Sequence, residues 1–246
     1  IVKKFNDMSL FDRNRRDAVA SEQLSASPYV MSIYGHCGYS ALYDFSNGGE
    51  LSDVHESNPT KDDLLRIAHD VATSVADAHH VDERGRATIA HTDIKPAQFL
   101  KVNGRYMLND FNRCRFLYWN RKRNRPCAFQ LKSNGSGVWR APEEYLLQPE
   151  TEKIDVFSLG NVLYFLLTGK EPFLDKMSSL DAIELIKKGK HVSITDDDIL
   201  SSTHPFDTTT LKALDMCFVY DPKKRSSARE VANLFRRAIG ELEFLT

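Results

Sequence analysis

Long apolar runs are missing from this sequence. No stretch of about 18 apolar residues, the least a membrane-crossing helix needs, occurs among its 246 residues. A surplus of charge is missing too: 33 Lys and Arg face 34 Asp and Glu, a formal net charge of -1. That balance gives no support to a nucleic-acid-binding protein. Cysteine is sparse. Cys37, Cys114, Cys127 and Cys217 lie far apart, with no CxxC pair and no Cys/His cluster. A disulfide framework and a zinc site are therefore not expected, and reduced thiols in a cytoplasmic or intracellular setting are. With 12 Gly and 9 Pro the chain is neither collagen-like nor of low complexity, and no internal repeat occurs.

What is present suits one large domain or two small lobes: 41% hydrophobic residues, enough for a sizeable core. The first half is rich in strand-like runs. IVKKF (1–5) reads as the inside of a strand, so the chain is expected to be a fragment whose upstream part could carry a signal or anchor. FDRNRRDAVASEQL (11–24) reads as an amphipathic helix. SPYVMSIYGHCG and SALYDFSNGGEL read as short strands, the second broken at Gly48-Gly49. Apolar residues at 64, 65, 67, 68, 71, 72, 75, 76 and 78 keep a helical spacing over 61–80. ATIAH (87–91), QFLKV (98–102) and RYMLN (105–109) read as strands, the last two joined by an Asn103-Gly104 turn. Residues 112–136 show no period and are expected to form one long loop. From 153 onward the pattern is helical, with further helices over 180–188, 209–219 and 227–243.

Two stretches concentrate the chemistry: HTDIKPAQ (91–98) and NDFN (109–112). Together with GGEL (48–51), GSGVWRAPE (135–143), DVFSLG (155–160) and DPKKR (221–225), all in the family's order along the chain, they resemble the protein kinase family from about residue 1 to 237. The resemblance implies an α+β, two-lobed kinase-like fold. A small, truncated β-rich N-lobe (1–46) would join a hinge exit and larger helical C-lobe (47–246). It implies ATP- and Mg2+-dependent transfer of the γ-phosphoryl group, with Mn2+ as a substitute, to a protein substrate. Asp93 would accept the proton of the substrate hydroxyl and Lys95 would contact the transferred phosphate. Ser136 would support both, which favours Ser/Thr acceptors. Gln98, where the family has Asn, and Asp110 would bind metal. Lys3, with Lys4 as the alternative register, would meet the α- and β-phosphates, and Asp17 would take the place of the helix Glu that pairs with that lysine. Tyr43 would guard the back of the nucleotide pocket, and the backbone of Asp44, Phe45 and Ser46 would contact adenine. Glu143 and Arg225 would form a buried structural pair.

Physical chemistry agrees with this residue set. Phosphoryl transfer needs in-line positioning and positive charge against the phosphate oxygens, and little covalent help. Magnesium takes hard oxygen ligands, which Asp110 and the Gln98 amide offer. The extra methylene of Gln98 displaces its amide oxygen, and a shift of about 1 Å can cost on the order of a hundredfold in rate. Asp17, one methylene shorter than Glu, is expected to make a longer, surface-like ion pair. Asn112 stands where the family has glycine and is expected to stiffen a backbone switch. Thr92 stands where many relatives have Arg, so control through a phosphorylated activation segment is less expected. The glycine-rich loop that covers ATP lies, in the family, before the strand carrying Lys3. These departures support a second reading, a pseudokinase that serves as a non-catalytic interaction or scaffold module. The run RCRFLYWNRKRNR (113–125) interleaves basic and aromatic residues. It suits docking of an acidic substrate or regulatory protein better than nucleic acid.

Overall fold

A computed structural model describes residues 2–4, 11–38, 40–81, 85–131 and 137–245. The first part is a three-stranded antiparallel sheet of β1 (Val2–Lys4), β2 (Ile33–Cys37) and β3 (Ser40–Tyr43), in the order β1-β3-β2. Lys3 lies opposite Ala41. Helix α1 (Phe11–Gln23) connects β1 to β2 and buries Asp17, Ala18, Ala20 and Ser21.

Helix α2 (Lys61–His79) starts on a capping box: the Thr60 hydroxyl accepts the Asp63 N–H at 3.1 Å, and the Asp63 carboxylate accepts the Thr60 N–H at 3.0 Å. Its apolar stripe is buried as the spacing predicts, from Leu64 to Ala78. Then come β4 (Ile89–Ala90), β5 (Phe99–Val102) and β6 (Arg105–Leu108). Asn103 and Gly104 both have positive φ, 50° and 85°. That geometry makes the tight turn joining β5 to β6. Gly48 crosses β5 so closely that a Cβ there would meet the Lys101 side chain at 2.8 Å. The Gly48 N–H donates to the Lys101 carbonyl and the Lys101 N–H to the Gly49 carbonyl.

The segment expected to be one loop contains short paired strands instead. β7 (Arg115–Phe116) pairs with β4, and β8 (Trp119–Asn120) with β9 (Arg125–Pro126). Two-residue strands leave no periodicity to read, because backbone pairing alone defines them. Short helices α3 (Pro142–Tyr145) and α6 (Asp197–Leu200) also escape the sequence pattern. The long ones, α4 (Lys153–Thr168), α5 (Ser179–Lys187), α7 (Pro205–Cys217) and α8 (Ala228–Leu245), fall where expected. α4 is buried almost all round. Gly160 lets it approach α7, where a Cβ would sit 2.7 Å from Cys217 Cβ. One apolar core runs through α2, α4, α7 and α8 and reaches Phe99, Leu108 and Phe111 beneath the loops that carry the site. This is an α+β architecture, a small sheet first and a larger helical part after it, as the resemblance implies.

Candidate active site

Three loops meet over the β4 to β6 region. The first, 91–98, is anchored from below. Asp155, buried in the first turn of α4, accepts the His91 N–H at 2.6 Å and the Thr92 N–H at 2.8 Å, and lies 3.1 Å from His79 Nε2. Thr92 takes φ 67°. That region is costly for a β-branched residue. Its hydroxyl donates to the Arg113 carbonyl at 3.0 Å and its own carbonyl accepts from Arg140 at 3.1 Å, so the strained turn is tied on every side. His91 is structural: Nε2 lies 3.0 Å from the Asn109 carbonyl and the ring stands edge-on to Phe111.

This anchoring presents Asp93 to a ring of donors. Gln98 Nε2 donates to Oδ2 at 3.0 Å, and the Arg140 guanidinium donates to Oδ1 at 2.9 Å. Lys95 Nζ lies 3.5 Å from Oδ2 and Arg113 Nη1 3.9 Å from Oδ1. Arg140 also donates to Glu144 at 3.0 Å, one turn along the start of α3. Burial works against the Arg140 charge, but Glu144 and Asp93 outweigh it and raise its pKa. Burial pushes Glu144 up to about 7, against the pull of Arg140.

The second loop carries Asp110 at φ 64°, ψ 64°. The left-handed residue is therefore Asp110 itself. Asn112 sits in the short 3-10 turn Phe111–Arg113 and is absent from the positive-φ residues, so the stiffening expected there has no basis in the backbone. The Phe111 N–H donates to Asp17 at 2.7 Å, and the Tyr43 hydroxyl donates to the other Asp17 oxygen at 2.7 Å. Asp17 is buried; the pair expected with Lys3 lies outside what is described, because the Lys3 side chain is not. Hydrogen bonds to a charged group are worth roughly 1.5–3 kcal/mol each. Here they join α1, β3 and the Asp110 turn. Burial and the Asp17 charge raise the Tyr43 phenol pKa.

In the third segment the Asp44 N–H is already spent on the Ser32 carbonyl at 3.2 Å, and Ser46 Oγ donates to the Lys101 carbonyl at 3.0 Å. Phe45 is exposed. Asp44 accepts from Tyr34 at 2.5 Å. The backbone strand carrying Lys3 is described, but its side chain is not; Ser136 lies outside the described residues.

Among the described residues no group of three or more His, Cys, Asp or Glu side chains gathers to hold a metal. Asp110 and Gln98 still fit a magnesium that takes its remaining ligands from phosphate and water. The Asp110 carboxylate accepts no hydrogen bond among the described residues. Gln98 spends its NH2 on Asp93, which leaves the amide oxygen as an acceptor.

Residues 3–234 match the protein kinase domain. The chain belongs to the protein kinase domain family. Similar proteins include the Arabidopsis thaliana serine/threonine-protein kinase AtPK2/AtPK19, 34% identical over 54% of this chain. The Saccharomyces cerevisiae serine/threonine-protein kinase CLA4 is 28% identical over 77%, and a probable serine/threonine-protein kinase of Dictyostelium discoideum 27% identical over 94%. The chain spans 26%, 22% and 14% of the lengths of these three relatives. Kinase domains in general use ATP and a divalent metal.

The kinase domain locks the end of its central segment with a buried fork. Arg225 donates to both Glu143 oxygens, at 2.7 and 3.1 Å, and to the carbonyls of Val219, Lys153 and Tyr220. Arg140 and Arg113 were not legible as site residues. The only signal for the first was the i, i+4 spacing to Glu144.

Proposed function

We propose that this kinase domain is an active protein serine/threonine kinase that uses ATP and Mg2+. The observation that carries the reading is the position of Asp93, held by donors on both oxygens beside Lys95 and lining a cavity. Each carboxylate oxygen has two lone pairs, so Gln98 and Arg140 orient Asp93 and leave acceptor capacity. A substrate hydroxyl donates its proton to Asp93 as its oxygen bonds to the γ-phosphorus, and the bond to the ADP oxygen breaks. Lys95 offsets the charge on the transferred phosphoryl oxygens. Lys3 is assigned to the α- and β-phosphates, Tyr43 to the back of the adenine pocket, and Asp44, Phe45 and Ser46 to its edge. Asp17 holds the Asp110 turn through the Phe111 N–H. Asp110 and Gln98 are assigned as the Mg2+ ligands, and the ion when bound neutralises phosphate charge. Ser136 is assigned as a support for Asp93 and Lys95. Residues 1–46 and 47–246 are taken as the two lobes.

Titration with ATP tests the nucleotide half of this reading. Mg2+ is expected to tighten ATP binding to the wild type and to do little for Asp110→Asn. Equal wild-type affinity with and without Mg2+ would contradict the assignment.

One observation favours a second reading. Gln98 and Arg140 both spend hydrogen bonds on Asp93, as a structural carboxylate would require. On that reading the domain is a pseudokinase that binds a regulatory protein.

A further inference from the structure

A cavity of ≈ 180 Å³ opens beside Asp93, lined by Asp93, Ile94, Lys95, Arg113, Trp139, Arg140 and Ser158. It exceeds the roughly 30 Å³ that one water occupies in the liquid several times over. Its charge is lopsided. Lys95, Arg113 and Arg140 share the single carboxylate of Asp93 in its wall, and Glu144 stands behind Arg140. Arg140 is engaged by Thr92, Asp93 and Glu144 through three hydrogen bonds. Arg113 is different. Its guanidinium makes no hydrogen bond among the described residues, and its ion-pair contact is the 3.9 Å approach to Asp93. Its side chain is only 29% exposed. A guanidinium is a fork of five donors, and one this shielded from water gains much from an oxyanion. Burial and then the neighbouring Arg140 charge lower its pKa, against the pull of Asp93 and Glu144.

We propose that this cavity is a subsite for an acidic side chain of the substrate, held by the Arg113 guanidinium. The inference rests on the reading of the domain as one that receives a peptide hydroxyl at Asp93. Arg113 Nη1 lies 3.9 Å from Asp93 Oδ1, so an oxyanion held there sits beside the hydroxyl that Asp93 receives. It is assigned to a residue next to the acceptor. The shared chemistry is an oxyanion, carboxylate or phosphate. The segment that continues from Arg113 strengthens the preference: Arg121, Lys122, Arg123 and Arg125 are exposed and make no ion pair among the described residues. Arg113 is a specificity residue in this account, with no part in the chemistry at Asp93.

Fluorescence anisotropy with labelled peptides, first without nucleotide, tests the subsite on the full chain. The peptides differ only in the residue beside the acceptor Ser: Ala, Asp, phosphoserine or Lys. A charge-assisted hydrogen bond is worth roughly 1.5–3 kcal/mol, so an acidic neighbour is expected to tighten binding about tenfold or more over Ala. The Asp and phosphoserine arms tell carboxylate from phosphate, and tighter binding of either supports the subsite. In Arg113→Gln the preference should fall to about one. In Arg113→Glu it should reverse toward the Lys peptide, a gain that misfolding cannot produce. Equal wild-type binding of the Ala and acidic peptides would overturn the proposal. So would a preference that survives Arg113→Gln, or one abolished by saturating ATP with Mg2+, which would give the cavity to the nucleotide phosphates. Because binding is read apart from transfer, an acidic preference without phosphoryl transfer would keep the subsite and remove the enzyme reading. Transfer without the preference would do the reverse.

Discussion

At the scale of single residues, the departure at Gln98 has a local compensation. Its longer side chain reaches Asp93 at 3.0 Å, a distance that an Asn at the same Cα would not span without a backbone shift. Restoring the family residue is therefore expected to harm. Gln98→Asn should lower the phosphoryl-transfer rate by on the order of ten- to a hundredfold, as displacements of about 1 Å do. Steady-state kinetics check it, and an unchanged or faster variant would count against the compensation.

A second residue-scale consequence concerns pH. Glu150 is fully buried. One of its oxygens accepts the Leu131 N–H at 3.2 Å and the other has no partner among the described residues. Burial pushes its pKa up from 4.5 to about 7; Glu143 adds to the rise, and the Leu131 N–H, Arg115 and Arg140 oppose it. The folded state thus binds a proton more tightly than the unfolded one. The resulting stability is full below about 4.5 and is lost as pH rises through about 7. Glu150→Gln removes the buried charge and keeps an acceptor for Leu131. It should melt higher than wild type at pH 8, by about 2–4 °C per kcal/mol recovered, with the gain vanishing near pH 5. A gain equal at both pH values would contradict the cause given.

At the scale of elements, the Arg225–Glu143 fork ties the loop before α8 to α3 and to the start of α4. Both side chains are almost wholly out of water. Breaking such a pair leaves a charge buried and alone, which costs about 3–5 kcal/mol. Arg225→Ala should therefore lose about that much in chemical denaturation, and an unchanged unfolding curve would rule out the anchoring role. This pair was legible because its two residues sit in motifs that the family spaces in a set order. The bond from Tyr43 to Asp17 was not. It joins β3 to α1 through side chains 26 positions apart, and no local pattern reports which hydroxyl a buried acid will meet. The long helices announced themselves by period, as Leu64 to Ala78 do in α2. The strand pairs of 115–126 are two residues long and carry no period at all.

At the scale of the whole molecule, the site depends on both parts of the chain. The helical core supplies Asp155, which pins the backbone on which Asp93 sits. The sheet and α1 supply Asp17 and Tyr43, which hold the turn that carries Asp110. Asp93, Lys95, Gln98 and Asp110 could be singled out from two short motifs. Arg113 and Arg140 complete the charge around Asp93 only after folding, because they arrive from segments 20 and 47 positions away. No helix among the described residues is long and apolar enough to cross a membrane.

The most direct test is γ-phosphoryl transfer from ATP to a generic protein substrate, with Mg2+ and separately with Mn2+, by the full chain beside Asp93→Asn. The account predicts transfer by the wild type that disappears in the variant. Folded wild-type protein that transfers no more than Asp93→Asn with either metal would contradict it and leave the binding-module reading in its place.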